Sequence, residues 1–280
     1  MLDGATGLAI PTKKGQSLTV EASEQKGIYW KSLDEKGNVW FEATFNLDTS
    51  ISKKEDKVFF QLIQILKEAQ KLNPSFLTQE NYNITTKLDF PRNWGLGTSS
   101  TLINNIAQWA QVDAFELLQN SFGGSGYDIA AAQHNTPILY SLLDGKPNIE
   151  TVSLNWNFTE NLFFVHLNQK QDSKEGIAHY KKAKVNAPLI SEISNITKQI
   201  ITCKTLQNFE ALIEKHESLI SKSIGLSTIK SKLFPDFKNA IKSLGAWGGD
   251  FILATGGERE KDYFREKDYL TIISFEEMIL

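Results

Sequence analysis

Residues 91–110 read PRNWGLGTSSTLINNIAQWA. Two glycines alternate with other residues, hydroxyl residues follow, and an apolar pattern then begins. Leu102, Ile103, Ile106, Ala107 and Ala110 recur at helical spacing. The stretch is therefore a glycine loop opening a helix. Such a junction leaves several backbone N–H groups without a partner, and the helix dipole adds positive potential there. Phosphate oxygens suit that position. The hydroxyls of Thr98 and Ser99 could bond phosphate or ligate Mg²⁺. A plain helix start explains the same residues, because Ser and Thr favour helix starts and Gly favours turns. The two familiar phosphate motifs are absent. GxxxxGK[ST] occurs nowhere, and the third glycine of GxGxxG is replaced by Ser100.

Upstream of this loop the chain reads as strands at 8–10, 17–22, 28–32 and 39–45. DEKGN at 34–38 is a hairpin-turn signal. The spacing then predicts an amphipathic helix over 57–72 and a strand over 83–88. Downstream, a short helix over 112–120 takes Asp113 as its N-cap. A second glycine stretch follows, GGSGYDIAAAQ at 123–133, and then a strand at 137–142. Asp128 stands where the glycines give way to alanines. It could stabilise a helix N-terminus, or serve as a fixed carboxylate that accepts a proton. A polar stretch from 144 to 160 places a domain boundary near 155. Beyond it come a strand at 162–167, a mostly helical region from 174 to about 242, and strands at 251–254 and 271–275. A third glycine stretch, KSLGAWGGDF at 242–251, reads as a helix-to-strand turn or as a loop that closes over phosphates. Strands followed by helices in each half indicate an α+β chain.

The totals narrow the function. With 280 residues, one large or two medium domains are expected. The net charge of −3 argues against nucleic acid as the main partner, since a phosphate backbone calls for a basic face. The single cysteine, Cys203, excludes an intrachain disulfide framework. The N-terminus does not read as a signal peptide, and no apolar run reaches the roughly 18 residues of a membrane helix. A cytoplasmic location with no membrane partner is expected.

Together the three glycine stretches resemble the GHMP kinases, the small-molecule kinases that include galactokinase, homoserine kinase and the mevalonate and phosphomevalonate kinases. The family motif P-x-x-x-G-L-G-S-S-A-A matches Pro91, Gly95, Leu96, Gly97, Thr98 and Ser99, with Ser100 and Thr101 in place of the alanines. GSGYDIAAA is similar to a family segment whose aspartate is the proposed base, which implies that role for Asp128. KSLGAWGGD is similar to the third family motif through Lys242, Gly245, Ala246, Gly248, Gly249 and Asp250, with Trp247 in place of a glycine. Of the first family motif only the tail is matched, by Leu2, Gly4 and Ala5, so the first strand is expected to be missing.

The resemblance implies a two-domain GHMP kinase fold. A ribosomal-S5-like N-terminal, nucleotide-binding domain would span 1–155, and a ferredoxin-like C-terminal domain 156–280. It implies ATP and Mg²⁺ as cofactors, with Pro91, Gly95, Leu96, Gly97, Thr98, Ser99, Ser100, Gly245, Gly248 and Gly249 at the nucleotide and Ser99 at the metal. The implied activity is ATP-dependent phosphorylation of a hydroxyl or phosphate group on a small molecule, in the manner of mevalonate or phosphomevalonate kinase. The alternative is a homologue that binds a nucleotide or metabolite without catalysis. The family's second Mg²⁺ ligand is left open, because its candidates, Glu116 and Gln119, do not align cleanly.

Overall fold

The computed structural model describes residues 1–49, 56–78, 81–169, 180, 186–245 and 250–280. They divide into two units, each with its own core. The N-terminal unit comprises Lys14–Arg92 and Leu96–Gln133; the C-terminal unit comprises Met1–Lys13, Asn93–Gly95 and His134–Leu280.

The N-terminal unit is built on four strands, β2 (Gln16–Ala22), β3 (Gly27–Leu33), β4 (Val39–Phe45) and β5 (Asn81–Leu88). Their order is β2-β5-β3-β4, with β3 and β5 parallel and the outer pairs antiparallel. The turn expected at 34–38 forms around Asp34, whose Oδ1 accepts from the N–H groups of Lys36 (3.0 Å) and Asn38 (2.7 Å). Strand alternation places Val20, Ile84, Trp30 and Ala43 in one row across the inner face. Polar atoms on that face are paired: Trp30 Nε1 donates to Ser32 Oγ (3.1 Å), as does the Thr86 hydroxyl (3.0 Å).

Helix α1 (Lys57–Leu72) connects β4 to β5, with Leu62, Ile63, Ile65, Leu66 and Ala69 buried. Asp56 caps it by accepting from the N–H groups of Val58 and Phe59, an arrangement typically worth about 1 kcal/mol. Three more helices complete the unit: α2 (Thr98–Ala110), α3 (Ala114–Ser121) and α4 (Tyr127–Ala132). Asp113 caps α3 as expected, accepting from the Glu116 N–H at 2.8 Å.

The C-terminal unit holds two sheets. The first is β1 (Gly7–Ala9), β6 (Ile138–Leu143) and β7 (Lys146–Thr151), in the order β1-β6-β7. The second contains β8 (Leu162–His166), β9 (Ile241–Ser243), β10 (Phe251–Thr255) and β11 (Ile272–Ser274), in the order β11-β8-β10-β9 and antiparallel throughout. With α5 (Ala187–Ile201), α6 (Leu206–Ile224) and α7 (Ile229–Leu233) between β8 and β9, and α8 (Glu258–Arg265) between β10 and β11, this is a ferredoxin-like arrangement. Its core is aromatic, with Phe163, Phe234 and Phe264 fully buried. A last short helix, α9 (Phe275–Met278), follows β11.

The polar stretch after residue 144 carries the second arm of a hairpin, since β7 pairs with β6 along its length. Ile241–Ser243 continues the sheet rather than the helical region. Residues 258–265 form a helix that carries no visible apolar stripe in the sequence. The β6–β7 hairpin joins β1 in the C-terminal unit, and residues 93–95 go with that unit too.

Candidate functional site

The 91–97 loop is pinned where it leaves β5. The Gly15 N–H donates to Asp89 Oδ1 at 2.6 Å, and the Asp89 N–H returns a bond to the Gly15 carbonyl at 3.2 Å. The Arg92 guanidinium lies 3.6 Å over the Trp40 ring, a cation–π contact that adds order to an exposed side chain.

Residues 93–95 are held by the C-terminal unit. His166 is 3% exposed, and its Nδ1 accepts from the Asn168 N–H at 3.3 Å. That assigns the proton to Nε2, which donates to the Asn93 carbonyl at 3.3 Å. Trp94 packs edge-on against Phe251 at 5.4 Å between ring centroids. At Gly95 the backbone has φ +66°, and a Cβ there would lie 2.1 Å from Asp250 Cγ. Asp250 itself is buried, and its carbonyl accepts from the Leu167 N–H at 2.9 Å. Only glycine meets both the left-handed φ and the close approach.

Gly97, two residues on, belongs to the N-terminal unit and opens α2. It is the N-cap residue at φ 75°, and α2 has no side-chain cap. The first internal bond of the helix runs from the Thr101 N–H to the Gly97 carbonyl at 2.9 Å. The N–H groups of Thr98, Ser99 and Ser100 therefore precede the first helical bond, in the geometry that receives anions. The helix start is steadied from its flank instead. The Thr101 hydroxyl donates to Gln16 Oε1 (2.8 Å), and Asn105 Nδ2 donates to the Gln16 carbonyl (2.8 Å). Ser99 is exposed, and Leu96, Thr98 and Ser100 are partly so. Pro91, partly exposed, lies three residues beyond the end of β5 and contributes its fixed φ.

The second glycine stretch shapes the start of α4. Gly123 N–H bonds the Leu118 carbonyl (2.8 Å), and Gln119 Nε2 donates to the Gly124 carbonyl (2.8 Å). Gln119 thus serves the loop. Gly126, at φ 77°, is the N-cap of α4 and again offers no side-chain cap. Asp128 lies in the first turn of α4 and faces Gly97: a Cβ on Gly97 would be 3.8 Å from Asp128 Cβ and 3.9 Å from its Oδ2. Its side chain is open to water, yet the protein packed around it displaces enough bulk solvent to raise its pKa above the ordinary carboxylate value. Burial, with Asp128 as a second cause, also raises the Tyr127 hydroxyl.

The third stretch is described at its two ends. Gly245 has φ +66° and lies toward Asp250, whose Oδ2 would be 3.7 Å from a Cβ there. The Leu244 N–H bonds the Phe251 carbonyl at 3.1 Å, closing the strand pair. Gly248, Gly249 and Trp247 lie outside the described residues.

A polar cluster behind this stretch escaped the sequence reading. Lys242 Nζ donates to Glu217 Oε1 (3.2 Å), to the Ser243 carbonyl (3.3 Å) and to His216 Nδ1 (3.3 Å). The Ser243 hydroxyl donates to Glu217 Oε2 at 3.0 Å. Burial and the neighbouring Lys242 push His216 down to about 2, so it is neutral and acts as an acceptor. The available signal was Glu217 itself, an acid on the buried stripe of α6 with Phe209 and Ile213.

For divalent metal, the described residues contain no group of three or more His, Cys, Asp or Glu side chains in ligating arrangement. The oxygens at hand, those of Ser99 and Asp128, are hard donors. They suit Mg²⁺, which keeps several waters and takes its other ligands from phosphate.

No protein-family model matches the chain, and no curated protein matches it. Solved structures do. A mevalonate kinase from L. major in complex with R-mevalonate superposes over 97% of this chain and 89% of its own, at TM-score 0.66 and 15% identity. The Methanococcus jannaschii mevalonate kinase covers 96% of this chain and 90% of its own, at TM-score 0.68 and 15% identity. A Lactococcus lactis galactokinase complexed with galactose covers 95% and 83%, at TM-score 0.58 and 12% identity. The chain has the fold shared by these GHMP kinases, the α+β fold that the resemblance of its glycine stretches implied.

Proposed function

We propose that this protein is an ATP-dependent small-molecule kinase that phosphorylates a hydroxyl or phosphate group, in the manner of mevalonate or phosphomevalonate kinase. The observation that carries the reading is Asp128 facing Gly97 at the uncapped start of α2. Phosphoryl transfer asks a protein mainly for positioning and for neutralisation of charge. The N–H groups at Thr98–Ser100 and the hydroxyls of Thr98 and Ser99 cradle phosphate oxygens, and Gly95, Leu96 and Gly97 let the backbone approach them. By the same resemblance Gly245, Gly248 and Gly249 are assigned to the nucleotide. Ser99 would hold Mg²⁺, which when bound neutralises charge on the phosphates.

Asp128 orients the substrate oxygen and accepts its proton. The new bond forms between that oxygen and the γ-phosphorus as the bond from phosphorus to the ADP oxygen breaks. A raised pKa makes Asp128 a stronger base than an ordinary carboxylate. Asp250, buried against Gly95, shapes the loop rather than serving the reaction. Among the described residues no helix is long and apolar enough to cross a membrane, and the reading assigns the enzyme to the cytoplasm.

The test is ADP release with Mg·ATP and a panel of small alcohols and phosphate monoesters, including mevalonate, phosphomevalonate, homoserine and galactose. Turnover with one of them is expected. Binding of Mg·ATP with no transfer to any of them would favour a protein that binds nucleotide without catalysis.

A further inference from the structure

One buried side chain of the N-terminal unit plays no part in the roles above. Asn104 is 3% exposed in the middle of α2, beside Ile103 and Ile106, which are fully buried. An apolar residue is the default at such a position. Asn104 Oδ1 accepts from Gln133 Nε2 at 3.1 Å. Gln133 is the C-cap of α4, the helix that carries Asp128. Its backbone N–H is bonded to the carbonyls of Ile129 (3.1 Å) and Ala130 (3.2 Å). A single residue thus closes α4 with its backbone and grips α2 with its side chain.

Helix α4 needs such a hold. It has six residues and begins on Gly126 without a side-chain cap, and a helix that short depends on tertiary contacts. It packs on α2, and its Ile129 and Ala130 are both fully buried. An alanine contact permits close approach but offers little shape to fix how far one helix slides along the other. A directional hydrogen bond from the exposed Gln133 to the buried Asn104 amide does fix it. The position of α4 along α2 in turn sets how Asp128 faces Gly97.

We propose that Asn104 and Gln133 are positioning residues that lock α4 onto α2 and so hold Asp128 at its working distance from the glycine loop. The functional part of this inference rests on the kinase reading of Asp128; the lock itself does not.

The variant to test is the pair Asn104→Leu with Gln133→Met. It removes both polar partners while keeping their size, so that the buried Asn104 amide is not left unpaired. The expected result is a fold that melts within a few degrees of the parent, an ATP KM within about twofold and a kcat lowered about tenfold or more, as a small misplacement of a catalytic group produces. In the same variant, backbone amides of 127–133 should exchange about tenfold faster. Unchanged exchange in α4 would overturn the lock. Unchanged kcat alongside faster exchange would overturn the positioning role, provided Asp128→Asn abolishes turnover. If Asp128→Asn leaves turnover intact, the kinase reading of Asp128 fails and the positioning role falls with it, while the exchange measurement still decides the lock.

Discussion

Gly95 and Gly97 stand two residues apart, have nearly the same φ (+66° and +75°), and each faces an aspartate. Yet the two pairs differ in kind. At Gly95 a Cβ would overlap the Asp250 carboxyl at 2.1–2.5 Å, and Asp250 is buried. At Gly97 a Cβ would meet Asp128 at 3.8–3.9 Å, an ordinary contact distance, and Asp128 is open to water. Two glycines of one loop thus answer to different demands. Gly95 gives up its side chain so that a carboxylate can pack. Gly97 gives up its side chain for a backbone turn that leaves the start of α2 uncapped and accessible. The first pair holds the loop and the second leaves room for chemistry.

The largest expected effect separates the two aspartates. Asp128→Asn should lower turnover by roughly 10²- to 10⁴-fold, the usual contribution of a general base, with ATP affinity unchanged. Asp250→Asn, measured in the same assay on folded protein, should stay within about tenfold of the parent, as a residue that shapes a loop without touching reacting atoms. Equal losses from both would break the distinction.

Next come the glycines. Gly95→Ala combines a left-handed backbone with overlap on Asp250, so a destabilisation of about 3 kcal/mol is expected by denaturant titration. Gly97→Ala meets only the backbone cost, about 1 kcal/mol, and should show itself more in weaker nucleotide binding than in stability. A smaller or reversed difference would mean that the two positions do not differ in packing.

The last effect, confined to acid pH, sharpens the comparison from outside the loop. His216 stays neutral in the folded protein, held down to about 2, and takes up a proton when unfolded near pH 6.5. The unfolded state therefore binds more protons below that pH, and stability falls as pH drops. The slope from this one group is at most about 1.4 kcal/mol per pH unit. His216→Gln should flatten the loss of stability between pH 6.5 and 4.5, with little change at pH 8. The readout is the denaturation midpoint across that range. A variant that loses stability in parallel with the parent would contradict the assignment.

Much of this molecule was legible in its sequence wherever the signal is local. The period of Leu62, Ile63, Leu66 and Ala69 specifies α1, and Asp113 marks the start of α3. The glycine-to-hydroxyl run at 95–99 marks the start of α2. Strand β7 was missed because KPNIET is polar and carries a proline, features that suit an edge strand as well as a linker. Its signal was the Asp144-Gly145 turn, where both residues have positive φ. Helix α8 was missed because only Phe264 of its eight residues is buried, too little for a visible stripe. The pairing of Asp250 with Gly95, and the grip of Gln133 on Asn104, join residues distant in sequence, which no local pattern encodes.

The central claim is that the uncapped start of α2, opened by Gly97, receives phosphate in front of Asp128. Amide hydrogen exchange with and without saturating Mg·ATP tests it most directly. The account predicts that the amides of Thr98, Ser99 and Ser100 slow by about tenfold or more on nucleotide binding, while the side-chain-capped start of α3 is unaffected. Nucleotide binding that leaves those three amides exchanging as before would contradict it.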